Sequence, residues 1–242
     1  TVLESGKLCE GSMCYTGDIT DPSRAKYDLD YYLTLGKDLE AAGAHILGVK
    51  DMGGLMKPAA ATILFKALKQ EVGIPIHFHT HDTSGIAAAS ILAASEAGVD
   101  AVDAAMDSMS GLTSQPNLGS IAAALRGSER DTGLDQRALT VISDYWEQAR
   151  RNYAGFEPDI RAGTSSVYQH EMPGGQYTNL RQQARSLGIE ERWDDIARTY
   201  AQVNHMFGDV IKVTPTSKVV GDMALMMVTS GLAPDDVMSP DR

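Results

Sequence analysis

Short apolar or β-branched runs alternate with longer amphipathic stretches through the first half of the chain, the pattern of βα units around a parallel sheet. Strands are predicted over residues 8–15, 45–50, 76–81 and 101–106. Between them, Leu29, Leu33, Leu39 and Ala42 mark a helix over 28–42, Pro58 suits the first position of a second, and a third covers 84–97. Gly43, Gly73 and Gly98 fall where these three should stop. A helix over Leu118–Leu125 follows the last strand, and then the alternation ends. Residues 134–153 and 179–206 read as helical and richer in Arg, Gln and Tyr, with a break at Pro173-Gly174-Gly175 and an apolar helix at 223–228. A boundary is therefore expected near Gly127, between 1–127 and a mainly helical 128–242. Pattern alone does not separate part of an eight-stranded barrel from an open sheet of four strands.

Composition narrows the function classes. A chain of 242 residues that is 43% apolar can bury one large core or two smaller ones. A net charge of −11 without a Lys/Arg cluster argues against a nucleic-acid partner, because phosphate binding rests on a basic face that releases counterions. The scattered Asp and Glu read as soluble helix surfaces. Cys9 and Cys14 share one predicted strand and point in directions unsuited to a bridge, so both are expected to be reduced thiols. No apolar run approaches the roughly 20 residues of a membrane span, and no signal pattern opens the chain, which suggests no membrane role and a soluble, reducing compartment. A start on Thr1 and a loop-like stop at Asp241-Arg242 lead to the expectation of a piece of something longer.

The densest chemistry is Ile76-His77-Phe78-His79-Thr80-His81-Asp82. Strand alternation puts the three imidazoles on one face, about 6.5 to 7 Å apart in succession, so two neighbours can share a cation and the outer pair cannot. Active sites of parallel α/β folds lie at the carboxyl ends of strands, which selects His79 and His81 and leaves His77 as a core or supporting histidine. His45, His170 and His205 are read as structural. Lys50 ends the preceding strand at the same rim and has three readings: an ion pair with a neighbour such as Asp51, a Schiff-base lysine, or a carbamate that ligates through oxygen. The histidine pair favours the third, since two neutral imidazoles supply a cation with no charge. Val213-Thr214-Pro215-Thr216-Ser217-Lys218 reads by spacing as a turn and helix cap. Gly163-Thr164-Ser165-Ser166 and Gly174-Gly175-Gln176 also read as turns.

Val49-Lys50-Asp51-Met52, Phe78-His79-Thr80-His81-Asp82-Thr83-Ser84-Gly85, Pro173-Gly174-Gly175-Gln176-Tyr177-Thr178-Asn179-Leu180 and Val213-Thr214-Pro215-Thr216-Ser217-Lys218, in this order, resemble the carboxyltransferase domain of pyruvate carboxylases. The resemblance runs nearly end to end. It implies the C-terminal half of a TIM (β/α)8 barrel, with the last four βα units in 1–127 and a helical funnel subdomain at the barrel mouth in 128–242. It further implies that Lys50, as carbamate, His79 and His81 hold Zn2+ or Mn2+. Thr214 matches the threonine that moves a proton between pyruvate and biotin, and Ser217 and Lys218 lie where the biotin ring binds. The implied reaction is carboxyl transfer from carboxybiotin to pyruvate, giving oxaloacetate. Biotin would arrive on a separate carrier domain, in a homo-oligomer, tetrameric in the full enzyme, of the cytoplasm or the mitochondrial matrix.

The family's aspartate ligand and its pyruvate-binding arginine would precede Thr1, so residues 1–242 alone are expected to be inactive. Rival readings are an oxaloacetate decarboxylase α-subunit or a transcarboxylase, whose histidine segment more often resembles His-Cys-His-Ala. A metal-dependent acyl-CoA lyase of the same superfamily would need neither a carbamylated lysine nor Thr214. A non-catalytic scaffold, with the histidines as core, would bind no metal.

Overall fold

The computed structural model describes residues 2–238. Four parallel strands, β1 (Glu10–Tyr15), β2 (Ile46–Asp51), β3 (Ile76–His79) and β4 (Ala101–Val102), lie side by side in chain order. Each is joined to the next through a helix: α1 (Leu29–Ala41), α2 (Pro58–Glu71) and α3 (Ala87–Glu96). A doubly wound sheet reverses its strand order, and this one does not. The expected parallel α/β fold is therefore present.

The two faces of the sheet differ sharply. Met13, Leu47, Val49, Ile76 and Phe78 point at the helices and are buried with Leu64, Phe65 and Leu68 of α2 and Ile91 of α3, the Phe65 and Phe78 rings lying 5.0 Å apart. The alternate residues, Ser12, Lys50, His77 and His79 among them, line the opposite face and are partly open. Parallel sheets are ordinarily covered on both faces and apolar throughout, so a polar second face marks chemistry rather than core.

The strands are shorter than the apolar runs suggested. β1 starts at Glu10, after Cys9, and neither Cys9 nor Cys14 is in a disulfide. β3 stops at His79 and β4 at Val102, because beyond them the backbone turns into loops that carry His81 and Asp103. Asp28 caps α1 by accepting from the Tyr31 N–H, and Pro58 opens α2 as expected.

After α4 (Leu118–Leu125) the chain becomes helical. α5 (Gln136–Arg151) packs back on the 3-10 turn Asp107–Met109 and on α4. The short α6 (Val167–His170) leads to α7 (Gly174–Ser186), so Gly174-Gly175-Gln176 is the first turn of a helix and not an independent turn. The segment read as continuously helical over 179–206 is instead divided between α7 and α8 (Trp193–Met206), with Gly188 at φ +68° between them. α9 (Thr216–Ser230) and α10 (Pro234–Met238) complete a second apolar cluster with Tyr177, Leu180, Ile196, Tyr200, Val220 and Met227. Gly221 lets α9 approach α7, since a Cβ there would collide with the Gln176 amide.

A charged knot fastens this helical part to the sheet. Arg24, before α1, holds Glu171 in two-fold contact at 2.7 and 3.1 Å, and the Lys212 ammonium, 1% exposed, lies 3.2 Å from the same carboxylate. Tyr27 Oη donates to the Asp209 carbonyl at 2.6 Å. These contacts fix the stretch that leads into Val213 and α9.

Nearby, His170 is buried against Tyr177, and its Nδ1 accepts from the Met172 N–H at 3.1 Å. Burial, with the Arg181 charge adding to it, pushes its pKa down to about 4. The unfolded chain then binds the proton first, so the fold loses stability as pH falls from about 6.5 toward 4, by roughly 3 kcal/mol in all. Thermal melting followed across that window should show the fall, and a His170→Asn variant should flatten it.

Candidate metal centre

Lys50, next to last in β2, is in register with His79, the last residue of β3, and both line one cavity on the polar face with Glu10, Ser12, His77 and Asp103. Asp51 is not the partner of Lys50. Strand alternation turns it to the helix side, where it is fully buried and accepts from the Leu55 N–H at 2.9 Å, the Met56 N–H at 2.8 Å and Thr80 Oγ1 at 2.9 Å. Burial raises its pKa despite those bonds. Lys50 forms no ion pair or hydrogen bond among the described residues.

His81 arrives from a loop rather than from the strand pleat. That loop is clamped at close quarters: Gly54, at φ +69°, sits on the His81 carbonyl with no room for a Cβ. The first residue of α7, Gly174, donates to the Met52 carbonyl at 2.8 Å, and a Cβ on it would come within 3.0 Å of both His81 Nδ1 and the Thr113 carbonyl. Packing of the second helical cluster thus presses on the imidazole.

The two rings end up with His79 Nε2 and His81 Nε2 3.3 Å apart. His81 Nδ1 lies 2.7 Å from the Thr113 carbonyl, which can only accept, so this nitrogen carries the proton. His79 Nδ1 lies 2.7 Å from Asp103 Oδ2. Burial opposes charge on Asp103, but the bonds from His79 and His77 outweigh it and hold the carboxyl below its ordinary range, so it too accepts. Burial, helped by neighbouring His79 and Lys50, lowers the His81 pKa despite the bond to Thr113 and favours the neutral ring. With each Nδ1 bound to an acceptor, the two Nε2 atoms are the ring positions left to hold a ligand between them. Two ligands about 2.0 to 2.1 Å from a tetrahedral zinc stand about 3.3 to 3.4 Å apart, so the pair fits a shared divalent cation.

Among the described residues no group of three His, Cys, Asp or Glu side chains converges on such a point. His77 does not join the pair. Its Nδ1 is 3.1 Å from Glu10 and its Nε2 2.9 Å from Asp103 Oδ1. Burial works against its charge, yet the two carboxylates raise its pKa.

Thr214, Ser217 and Lys218 occupy a separate segment, with no hydrogen bond or ion pair to the histidines among the described residues. Thr216 serves the turn, its Oγ1 accepting from the Val213 N–H at 3.2 Å and lying 2.5 Å from the Ile211 carbonyl. Thr214 is exposed and its hydroxyl has no partner among the described residues. Ser217 is buried in the first turn of α9, and Lys218 pairs with Asp222 at 2.7 Å on its outer side. Sequence reasoning missed Asp103, which gave one usable signal, a carboxylate just past a strand next to the histidine strand; Gly174 was read only as a turn within one of the segments that carry the resemblance.

Known proteins resemble this chain over both parts. The family described as HMGL-like matches residues 18–145, and the conserved carboxylase domain matches residues 167–242. Pyruvate carboxylase of Bacillus subtilis is 51% identical over 236 residues, which is 98% of this chain and 21% of that protein. The human mitochondrial pyruvate carboxylase is 48% identical over 232 residues, 95% of this chain and 20% of that one. The chain thus spans about a fifth of the curated relatives it matches. The carboxyl transferase domain from Rhizobium etli pyruvate carboxylase, solved with pyruvate, is 65% identical with a TM-score of 0.98, over 100% of this chain and 41% of that one.

Proposed function

This chain belongs to the family of pyruvate carboxylase carboxyltransferase domains, and from that premise we propose that it forms the cation-holding part of a biotin-dependent carboxyltransferase. The reaction is transfer of the carboxyl group of carboxybiotin to pyruvate, giving oxaloacetate. One observation carries the reading: the Nε2 atoms of His79 and His81 lie 3.3 Å apart while the Nδ1 atom of each ring is bound to an acceptor. A solved relative bound to pyruvate supports the substrate.

His79 and His81 hold the cation, Zn2+ or Mn2+, through Nε2. Lys50 joins them after its neutral amine captures carbon dioxide and releases a proton, becoming a carbamate that adds the negative charge the imidazoles lack. Lys50 has no ion-pair partner among the described residues, which leaves the amine available. A cation held there would supply positive charge near the pyruvate carbonyl oxygen, where negative charge develops in the reaction. The Thr214 hydroxyl moves a proton between the pyruvate methyl group and biotin, since a hydroxyl can donate and accept together. Ser217 and Lys218 contact the biotin ring.

Residues 1–127 are assigned to four βα units of the barrel and 128–242 to the helical part at its mouth. The polar, partly open face of the sheet is the inner wall that further strands would close. The partners are a biotin carboxyl carrier domain and further copies of the same enzyme, as a tetramer. The compartment is the cytoplasm, or the mitochondrial matrix in a eukaryote. No helix among the described residues is long and apolar enough to cross a membrane. Metal analysis of the complete protein tests the site: about one divalent cation per chain is expected, and a metal-free protein with full carboxyl transfer would overturn it.

A further inference from the structure

We propose that Asp103 and His77 are positioning residues for this cation site, Asp103 by aiming the His79 imidazole and His77 by holding Asp103 in place. The inference rests on the metal-site reading above. Neither side chain reaches the point between the Nε2 atoms; both act through His79.

The geometry is a hydrogen-bonded line across the sheet. Glu10, the first residue of β1, lies 3.1 Å from His77 Nδ1, His77 Nε2 lies 2.9 Å from Asp103 Oδ1, and Asp103 Oδ2 lies 2.7 Å from His79 Nδ1. Parallel register sets this up: Phe78 is opposite Val102, and the Asp103 N–H donates to the Phe78 carbonyl at 3.0 Å, so the carboxylate falls between His77 and His79. A carboxylate that accepts at Nδ1 keeps the proton on that nitrogen, leaves the lone pair on Nε2, and fixes the plane of the ring.

His77 adds a second constraint. With Oδ1 bound to His77, Asp103 cannot rotate away from His79 without losing another hydrogen bond. The two carboxylates that share a cavity with Lys50, Glu10 and Asp103, are both engaged by His77. The lysine amine is thereby spared an ion pair on that wall. Simple surface ion pairing is the competing account, and it predicts small effects that do not depend on metal.

The experiment uses the complete carboxylase, with Zn2+ competed away by a chromogenic chelator and thermal melting recorded with and without Zn2+. Asp103→Ala should weaken Zn2+ binding by about 10- to 100-fold. His77→Leu should weaken it in the same direction by less, and His77→Gln, which keeps one N–H for Asp103, should restore part of the loss. The melting temperature without metal should stay at the parent value for all three, and the gain on adding Zn2+ should shrink for Asp103→Ala. Parent-like Zn2+ affinity in Asp103→Ala overturns the proposal, as does an equal loss of melting temperature with and without metal. His81→Ala is the reference. Loss of Zn2+ there with retention in Asp103→Ala overturns only the positioning role, whereas retention in His81→Ala overturns the site reading itself.

Discussion

His81→Ala should leave the complete enzyme with little bound divalent cation and slow carboxyl transfer by about 1,000-fold or more. The first effect follows from geometry. His81 supplies one of two Nε2 atoms that lie 3.3 Å apart, and its ring is held from behind by the Thr113 carbonyl and Gly174. A remaining imidazole and a lysine would not enclose a cation, and the carbamate proposed for Lys50 would persist only while its charge is matched. The second effect follows from what a cation contributes. Stabilising charge on a developing enolate is worth several kcal/mol, and about 4 kcal/mol is three orders of magnitude in rate. Elemental analysis and the initial rate of oxaloacetate formation, run on the same preparation, check both halves. Normal metal content with a slow rate would move His81 from ligand to another role, and a normal rate would end the reading.

Thr214→Ala should lower kcat by about 100- to 10,000-fold, the range of general acid–base catalysis, with metal content unchanged. The separation of the two readouts is the point of the test. Thr214 is exposed and its hydroxyl bonds to nothing among the described residues, so its removal should cost the fold little. Thr216, by contrast, is committed to the Val213 turn through its hydroxyl, and Thr216→Ala should act on stability instead. Thr214→Ser keeps a hydroxyl at this position and should recover most of the rate. Near-normal oxaloacetate formation by Thr214→Ala would refute the role.

Much of the site was legible from alternation alone. The period of two through β2 and β3 put Leu47, Val49, Ile76 and Phe78 on one side and Lys50, His77 and His79 on the other, as the burial of the first group bears out. The same rule separated Asp51 from Lys50, although the sequence reading still allowed them to pair. Local reasoning failed where a side chain leaves the regular element. His81 was expected at a strand end, but β3 stops at His79 and the second imidazole is aimed by the Thr113 carbonyl, more than thirty residues later. Asp103 was passed over because its partners, His77 and His79, lie about 25 residues earlier and meet it only through the β3–β4 register.

The helical part divides the same way. Helical spacing was enough to expect α5, because amphipathic periodicity is a property of the chain itself, whereas α9 was expected only over 223–228 and begins at Thr216. Pro173-Gly174-Gly175 read as a break, and it proved to be the start of α7 set against His81, since glycine signals freedom of the backbone and not what will approach it. The sequence by itself determined the parallel βα order, the polarity of each sheet face and the residue types that can bind a cation, all consequences of local period and side-chain chemistry. Only the tertiary structure decided which nitrogens face each other and which carboxylate turns a ring, because hydrogen bonds between distant segments depend on register and packing that no local window contains.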